Sequence, residues 1–177
     1  MTYTVDSLYP TISISEEVPG KGDLCGSIFL NRIFAKYLEK KFRGHPKWDE
    51  TKEAEAMDRF ENDIKRNFDS DPEEKTYIIP AWGFGTNEFL GIWNNKLLLS
   101  RETVQEIFEP VIKEILPLVK AQIRASKKKV KAVLLAGGFG PNVYLQHRIQ
   151  EAVGPRIDVR PIDNRYVLRF YCCPALL

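Results

Sequence analysis

Histidine and cysteine are scarce in this chain, and its charges nearly cancel. Two histidines and three cysteines occur in 177 residues. His45 and His147 have no second histidine or cysteine at ligand spacing, which argues against a metal site and against a histidine-based catalytic triad. Cys25, Cys172 and Cys173 are odd in number and include no C-x-x-C pair, so they supply neither a zinc ligand set nor a disulfide framework and are expected as reduced thiols. Lys and Arg number 26 against 24 Asp and Glu, a net of +2, so no global field announces nucleic acid or an anionic membrane as partner. The longest apolar stretches, such as Val130 to Ala136 interrupted by Lys131, fall far short of the roughly 18 residues a membrane span needs. Met1 to Pro10 has neither a basic nor an apolar leader region, and no Asn-x-Ser/Thr acceptor occurs. The expected location is therefore cytoplasmic, with the nucleus as the alternative.

What is present is an ordinary globular composition, 44% hydrophobic and 28% charged, in a length that suits one domain of roughly 150 residues or one lobe of a larger protein. Alternating β-branched residues over Thr2 to Leu8 and again over Thr11 to Ile14 predict two strands forming a hairpin. A glycine-rich loop from Val18 to Gly26 precedes a helix over about Ser27 to Phe42, with Phe29, Ile33, Phe34, Tyr37 and Leu38 on one stripe. Gly44 and Pro46 break that helix, and a charged helical pattern resumes from Glu50 to Phe68 with Met57, Phe60 and Ile64 apolar. Three β-rich runs, Thr76 to Trp82, Glu88 to Trp93 and Lys96 to Leu99, predict a small sheet. From Ser100, a plausible N-cap, helical spacing continues to about Ser126, and Pro110 and Pro117 predict a kinked helix or two helices.

The most informative stretch comes next. Val130 to Ala136 reads as a buried strand, runs into Gly137-Gly138-Phe139-Gly140-Pro141, and is followed by a helix from Asn142 to Val153 and an edge strand at Ile157 to Val159. Strand, glycine turn, helix is an α/β signature. Glycines at that turn let main-chain amides approach a ligand that Cβ atoms would block, and the helix behind adds the positive end of its dipole. The same turn also serves as a bare strand-to-helix connection, and both readings stay open. It lacks the third glycine of G-x-G-x-x-G, which disfavours a dinucleotide oxidoreductase, and no G-x-x-x-x-G-K-[ST] occurs. The lysine run Lys127 to Lys129 with Lys131 reads as a solvated loop that complements a helix dipole, with a nuclear signal or a phosphate contact as alternatives. Trp48, Trp82 and Trp93 are scattered and read as core or rim residues rather than a base-stacking platform.

Three segments taken in order, Gly22-Asp23-Leu24-Cys25-Gly26-Ser27-Ile28-Phe29-Leu30-Asn31-Arg32, Phe60-Glu61-Asn62-Asp63-Ile64-Lys65-Arg66-Asn67-Phe68 and Val133-Leu134-Leu135-Ala136-Gly137-Gly138-Phe139-Gly140-Pro141-Asn142, resemble the second lobe of actin-like ATPases, in the form found in fungal proteins related to the heat shock protein 70 family. The resemblance runs from about Thr2 to Pro161. It implies an RNase-H-like α/β lobe, with residues 1–30 and 96–162 as its core, 31–95 as an inserted helical and small-sheet subdomain, and 163–177 as an atypical tail. It implies that Gly138, Phe139, Gly140 and Pro141 line the adenosine side of ATP or ADP, that Gly137 supports the turn, and that Glu61 and Lys65 cover the ribose and adenine. In the chaperones the acidic and basic positions lie three apart, whereas Glu61 and Lys65 are four apart; that spacing also suits a simple i,i+4 ion pair, worth about 0.2–0.5 kcal/mol.

The family's two phosphate-binding loops, the second reading Asp-x-Gly-Gly-Gly-Thr, precede the segment resembling Thr2 and do not occur in these residues. Magnesium is therefore expected only with the nucleotide, no catalytic or metal-ligating residue is assigned, and hydrolysis by this chain alone is not expected, because phosphoryl transfer rests on the positioning those loops supply. The expectation is a truncated nucleotide-binding lobe. The alternatives are a non-catalytic module that binds a protein partner on the face left by the missing lobe, or an inactive gene fragment that keeps the fold. No nucleic acid or membrane partner is expected.

Overall fold

The structure, a computed structural model, describes residues 1–20, 26–69 and 76–162. The cysteines, the stretch Gly22 to Cys25 and the expected tail at 163–177 lie outside these. The fold is mixed α/β. Among the described residues, seven strands form three separate small sheets: β1 (Thr2–Ser7) with β2 (Ser13–Val18), β3 (Tyr77–Pro80) with β5 (Lys96–Leu99) and β4 (Ile92–Trp93), and β6 (Ala132–Leu135) with β7 (Asp158–Pro161). The helices are α1 (Ile28–Phe42), α2 (Glu50–Arg59), α3 (Lys65–Asn67), α4 (Arg101–Ala125) and α5 (Val143–Val153). The chain groups into two compact units. One comprises Met1–Cys25, Ile112–Pro141 and Leu145–Leu177, the other Gly26–Val111 and Asn142–Tyr144.

The second unit holds most of the described core. On α1 the fully buried line is Leu30, Phe34, Leu38 and Phe42, strict i,i+4 spacing, while Phe29, Ile33 and Tyr37 of the expected stripe flank it half-buried. Gly44, at φ +68°, ends the segment, and the Asp49 carboxylate caps α2 by accepting from the Lys52 amide at 2.9 Å. Aromatic rings fill the interior: Phe34 stacks on Phe60 at 4.2 Å, Phe42 on Trp48 at 3.9 Å, and Phe68 meets Phe108 and Tyr144 at 4.6 and 4.7 Å. In the three-stranded sheet, Ile79, Leu97, Ile92 and Leu99 face this core, whereas the opposite face leaves Ile78, Leu98 and Trp93 exposed. Of the three tryptophans expected in the core or at its rim, Trp48 packs on Phe42, while Trp82 and Trp93 are exposed.

Two expected elements differ, and a third takes one of its two expected forms. The helix expected from Glu50 to Phe68 is interrupted at Phe60–Ile64 by a π-turn, in which the Lys65 amide reaches the Phe60 carbonyl five residues back. The strand expected over Glu88 to Trp93 is a 3₁₀ turn at Glu88–Leu90, capped by the Asn87 side chain, then two strand residues and an Asn94-Asn95 turn with both φ positive, the type that joins tight hairpins. α4 is one continuous helix despite Pro110 and Pro117, both on its exposed side.

In the first unit, the β1–β2 hairpin is fastened to the C-terminal half of α4. Thr2 donates to Gln122, Gln122 donates to the Pro19 carbonyl, and the Glu17 carboxylate accepts from the Lys127 and Lys128 amides at 2.8 and 3.1 Å. β6 and β7 pair in parallel, Val133 opposite Val159. The expectation of a buried β6 fails: Ala132 and Leu134 are exposed and Val133 and Leu135 half-buried, because a two-stranded sheet leaves both edges and most of one face uncovered. Gln150 brackets the connection into β7, donating to the Gly154 and Ile157 carbonyls and accepting from the Val159 amide.

Candidate functional site

The glycine turn joins β6 to α5, and the fold gives a reason for two of its three glycines. Gly137 sits at φ +87°, a conformation that strains any residue with a Cβ. Gly140 has an ordinary φ but lies against the strand it has just left: a Cβ there would stand 2.5 Å from the Leu135 carbonyl oxygen and 2.8 Å from its carbon. That carbonyl is itself engaged, accepting from the Ile162 amide at 2.8 Å, and the turn is closed by the Gly140 amide donating to the Gly137 carbonyl at 3.1 Å. Gly138 has neither reason. Its φ is unexceptional, it is exposed, and a Cβ built on it would meet nothing within 4 Å.

The accessible surface of the turn is therefore Gly137, Gly138 and Pro141. Phe139 is only 8% exposed and Gly140 is buried, so of the residues expected to line a ligand these two are turned into the fold. The Gln146 side chain holds the end of the turn by donating to the Gly140 carbonyl at 3.2 Å.

Glu61 and Lys65 belong to the second unit and form a closed triad with Asn31 of α1. The Lys65 ammonium donates to Glu61 Oε1 at 3.2 Å and to Asn31 Oδ1 at 2.9 Å, and Asn31 Nδ2 donates to Glu61 Oε2 at 3.1 Å. Lys65 is buried, whereas the Glu61 side chain is 52% exposed. The hydrogen bond from Lys65, then its charge, hold the Glu61 carboxyl below its ordinary range, against a smaller opposing effect of burial and with help from Asn31. The pair spans the π-turn, and its four-residue spacing is one at which side chains meet on a helix surface.

Two residues that sequence reasoning did not single out complete the picture. Asn31 flanks the buried line of α1, where a lone polar side chain beside Leu30 and Phe34 signals an internal partner. Asn142 is a buried polar residue whose Nδ2 donates to the Lys65 and Phe68 carbonyls at 3.0 and 3.1 Å, satisfying main-chain groups left over at the end of α3. Its position before α5 suggests a helix cap, and nothing in the sequence points to the carbonyls it serves.

Away from these groups, an open depression of about 380 Å³ lies at the C-terminal end of α5, lined by His147, Gln150, Glu151, Gly154 and Pro155. It is remote along α5 from the glycine turn, and Gln150 already spends its amide group on the bracket into β7. His147 is on the exposed face of α5, as its position in the sequence suggests. Among the described residues no cluster of His, Cys, Asp and Glu could hold a metal ion, and no helix is long and apolar enough to cross a membrane.

No family model matches the chain. A stretch of 67 residues, 36% of the chain, is 34% identical to human heat shock 70 kDa protein 12B and spans 10% of that protein's length. The chain thus covers about a tenth of the relative it matches, and the likeness is to the heat shock protein 70 family, at family level and in part of the chain.

Proposed function

We propose that this chain is a nucleotide-contacting lobe of a heat shock protein 70-like ATPase, RNase-H-like in plan, that touches the adenosine part of ATP or ADP through the main chain of its glycine turn. The observation that carries the reading is Gly138. The fold accounts for the glycines on either side of it but places no demand on this one, whereas a flat ring system lying against the main chain does. The partial likeness to a heat shock protein 70 relative supports the same reading. Glu61 and Lys65 are assigned to the ribose and adenine by resemblance.

These residues contain neither phosphate-binding loop, so the chain binds weakly and does not hydrolyse nucleotide by itself; magnesium arrives only with the phosphates. Titration calorimetry of the purified chain with Mg-ADP, ADP and adenosine tests this. Weak heats of similar size for adenosine and ADP are expected, because the phosphates have no partner here, and Gly138→Val should abolish them while leaving the thermal melt in place. Heats equal to the dilution control up to millimolar ligand would overturn the reading.

A further inference from the structure

The second half of α4 and the loop that follows it concentrate positive charge far beyond what the near-neutral chain suggests. Residues 112–131 hold seven Lys and Arg against the single acid Glu114, so the rest of the chain is net negative. On α4 the exposed side chains Lys113, Lys120 and Arg124 are spaced by seven and four residues, which puts them on one face of the helix. That line runs over about 17 Å, at 1.5 Å per residue, into the exposed Lys127, Lys128, Lys129 and Lys131. Among the described residues none of the seven is joined to an acid in an ion pair.

The loop backbone is fixed rather than loose. The Glu17 carboxylate takes the Lys127 and Lys128 amides, and the Ser126 hydroxyl donates to the Lys128 carbonyl at 2.8 Å. With the main chain held from within, the lysine side chains are left to project outward. The loop lies at the N-terminal end of β6 and the glycine turn at its C-terminal end, so the two do not share a surface.

We propose that this stripe is a docking surface for an acidic, extended polypeptide segment. The stripe itself selects among polyanions. Between residues 112 and 131 no large apolar side chain is exposed to enter a lipid surface and no aromatic residue offers a ring for bases to stack on; the exposed Tyr3, Val5, Ile12 and Ile14 belong to the neighbouring hairpin and carry none of the seven charges. A carboxylate-rich chain needs neither, and Glu17 shows a carboxylate held at this loop by its amides.

Fluorescence anisotropy of the whole chain with a fluorescein-labelled peptide of about ten residues, alternating Glu and Gly and long enough to span roughly 30 Å, is the test. The peptide should bind, and the affinity should fall at least tenfold between low and physiological salt. Changing Lys127, Lys128, Lys129 and Lys131 together to Gln should weaken binding at least tenfold, as should the separate triple variant Lys113→Gln, Lys120→Gln, Arg124→Gln, which carries the test if the loop variant does not fold by circular dichroism. Lys36→Gln with Lys40→Gln, exposed on α1, should change nothing. Absence of peptide binding, variants that bind like the parent, or tighter binding of an oligothymidylate or a phosphatidylserine vesicle at matched charge would each overturn the proposal.

Discussion

Gly138 and Gly140 stand two residues apart and ought to respond oppositely to the same small change. Gly140→Ala drives a methyl group into the Leu135 carbonyl and should cost about 1–3 kcal/mol, read as a lower urea midpoint. Gly138→Ala meets open space and should stay within about 0.5 kcal/mol of the parent. A Gly138→Ala protein as unstable as Gly140→Ala would mean that the fold, not a ligand, requires that glycine. The acids give a second residue-level expectation. Although burial would raise the Glu17 carboxyl, the amides of Lys128 and Lys127 and the Thr4 hydroxyl outweigh it and set the group below its ordinary 4.5; Glu61 is likewise lowered, chiefly by Lys65. A depressed carboxyl contributes stability that is fully present above the unfolded-state value and lost as pH falls through the folded one. The gap in urea stability between the parent and Glu17→Gln should therefore narrow as pH drops below 4.5, and the same for Glu61→Gln; gaps that do not change with pH would contradict the clasp and the triad.

Among the elements, α4 makes the sharpest prediction. Pro117 is on its exposed side, withholds one hydrogen bond from the ladder and still leaves the helix unbroken. Pro117→Ala should raise stability by roughly 2 kcal/mol, the helix gain of about 3 offset by about 0.4–1 for the freer unfolded chain, seen as a higher melting temperature. A lowered melting temperature would show that the local geometry at Pro117 is needed. This helix was legible in the sequence because its apolar spacing persists through both prolines, as was the strand Lys96–Leu99 of the small sheet. Two features were not. The π-turn has no local signature: Phe60 and Ile64 keep helical spacing whichever carbonyl the Lys65 amide selects. The exposure of β6 was hidden because the run Val130 to Ala136 records apolar composition, while burial depends on how many strands join it. In the candidate site the turn itself could be read from its glycines, but which of them serves the fold was decided by the carbonyl of Leu135, a neighbour fixed only by folding.

For the molecule as a whole, the distribution of buried residues is lopsided. Of the described buried hydrophobic side chains, Ile112, Phe139, Leu145 and Ile149 belong to the first unit and all the others to the second. The β1–β2 hairpin exposes Tyr3, Val5, Ile12 and Ile14 and depends on a few polar ties for its attachment. Local opening follows the density of apolar contacts, so hydrogen exchange should be fast across Thr2–Ser7 and slow across Tyr77–Pro80 and Lys96–Leu99. Equal protection in the two sheets would contradict this ranking. The aromatic side chains carry one more consequence. Trp48, Trp82 and Trp93 all fall in the second unit, Trp48 packed flat on Phe42 and the other two in solvent. Indole emission therefore watches one half of the polypeptide only. A melt followed by that light would pass over any loosening around the glycine turn in silence, and a new chromophore placed in the first unit, for example by Tyr3→Trp, would give that half its own optical voice.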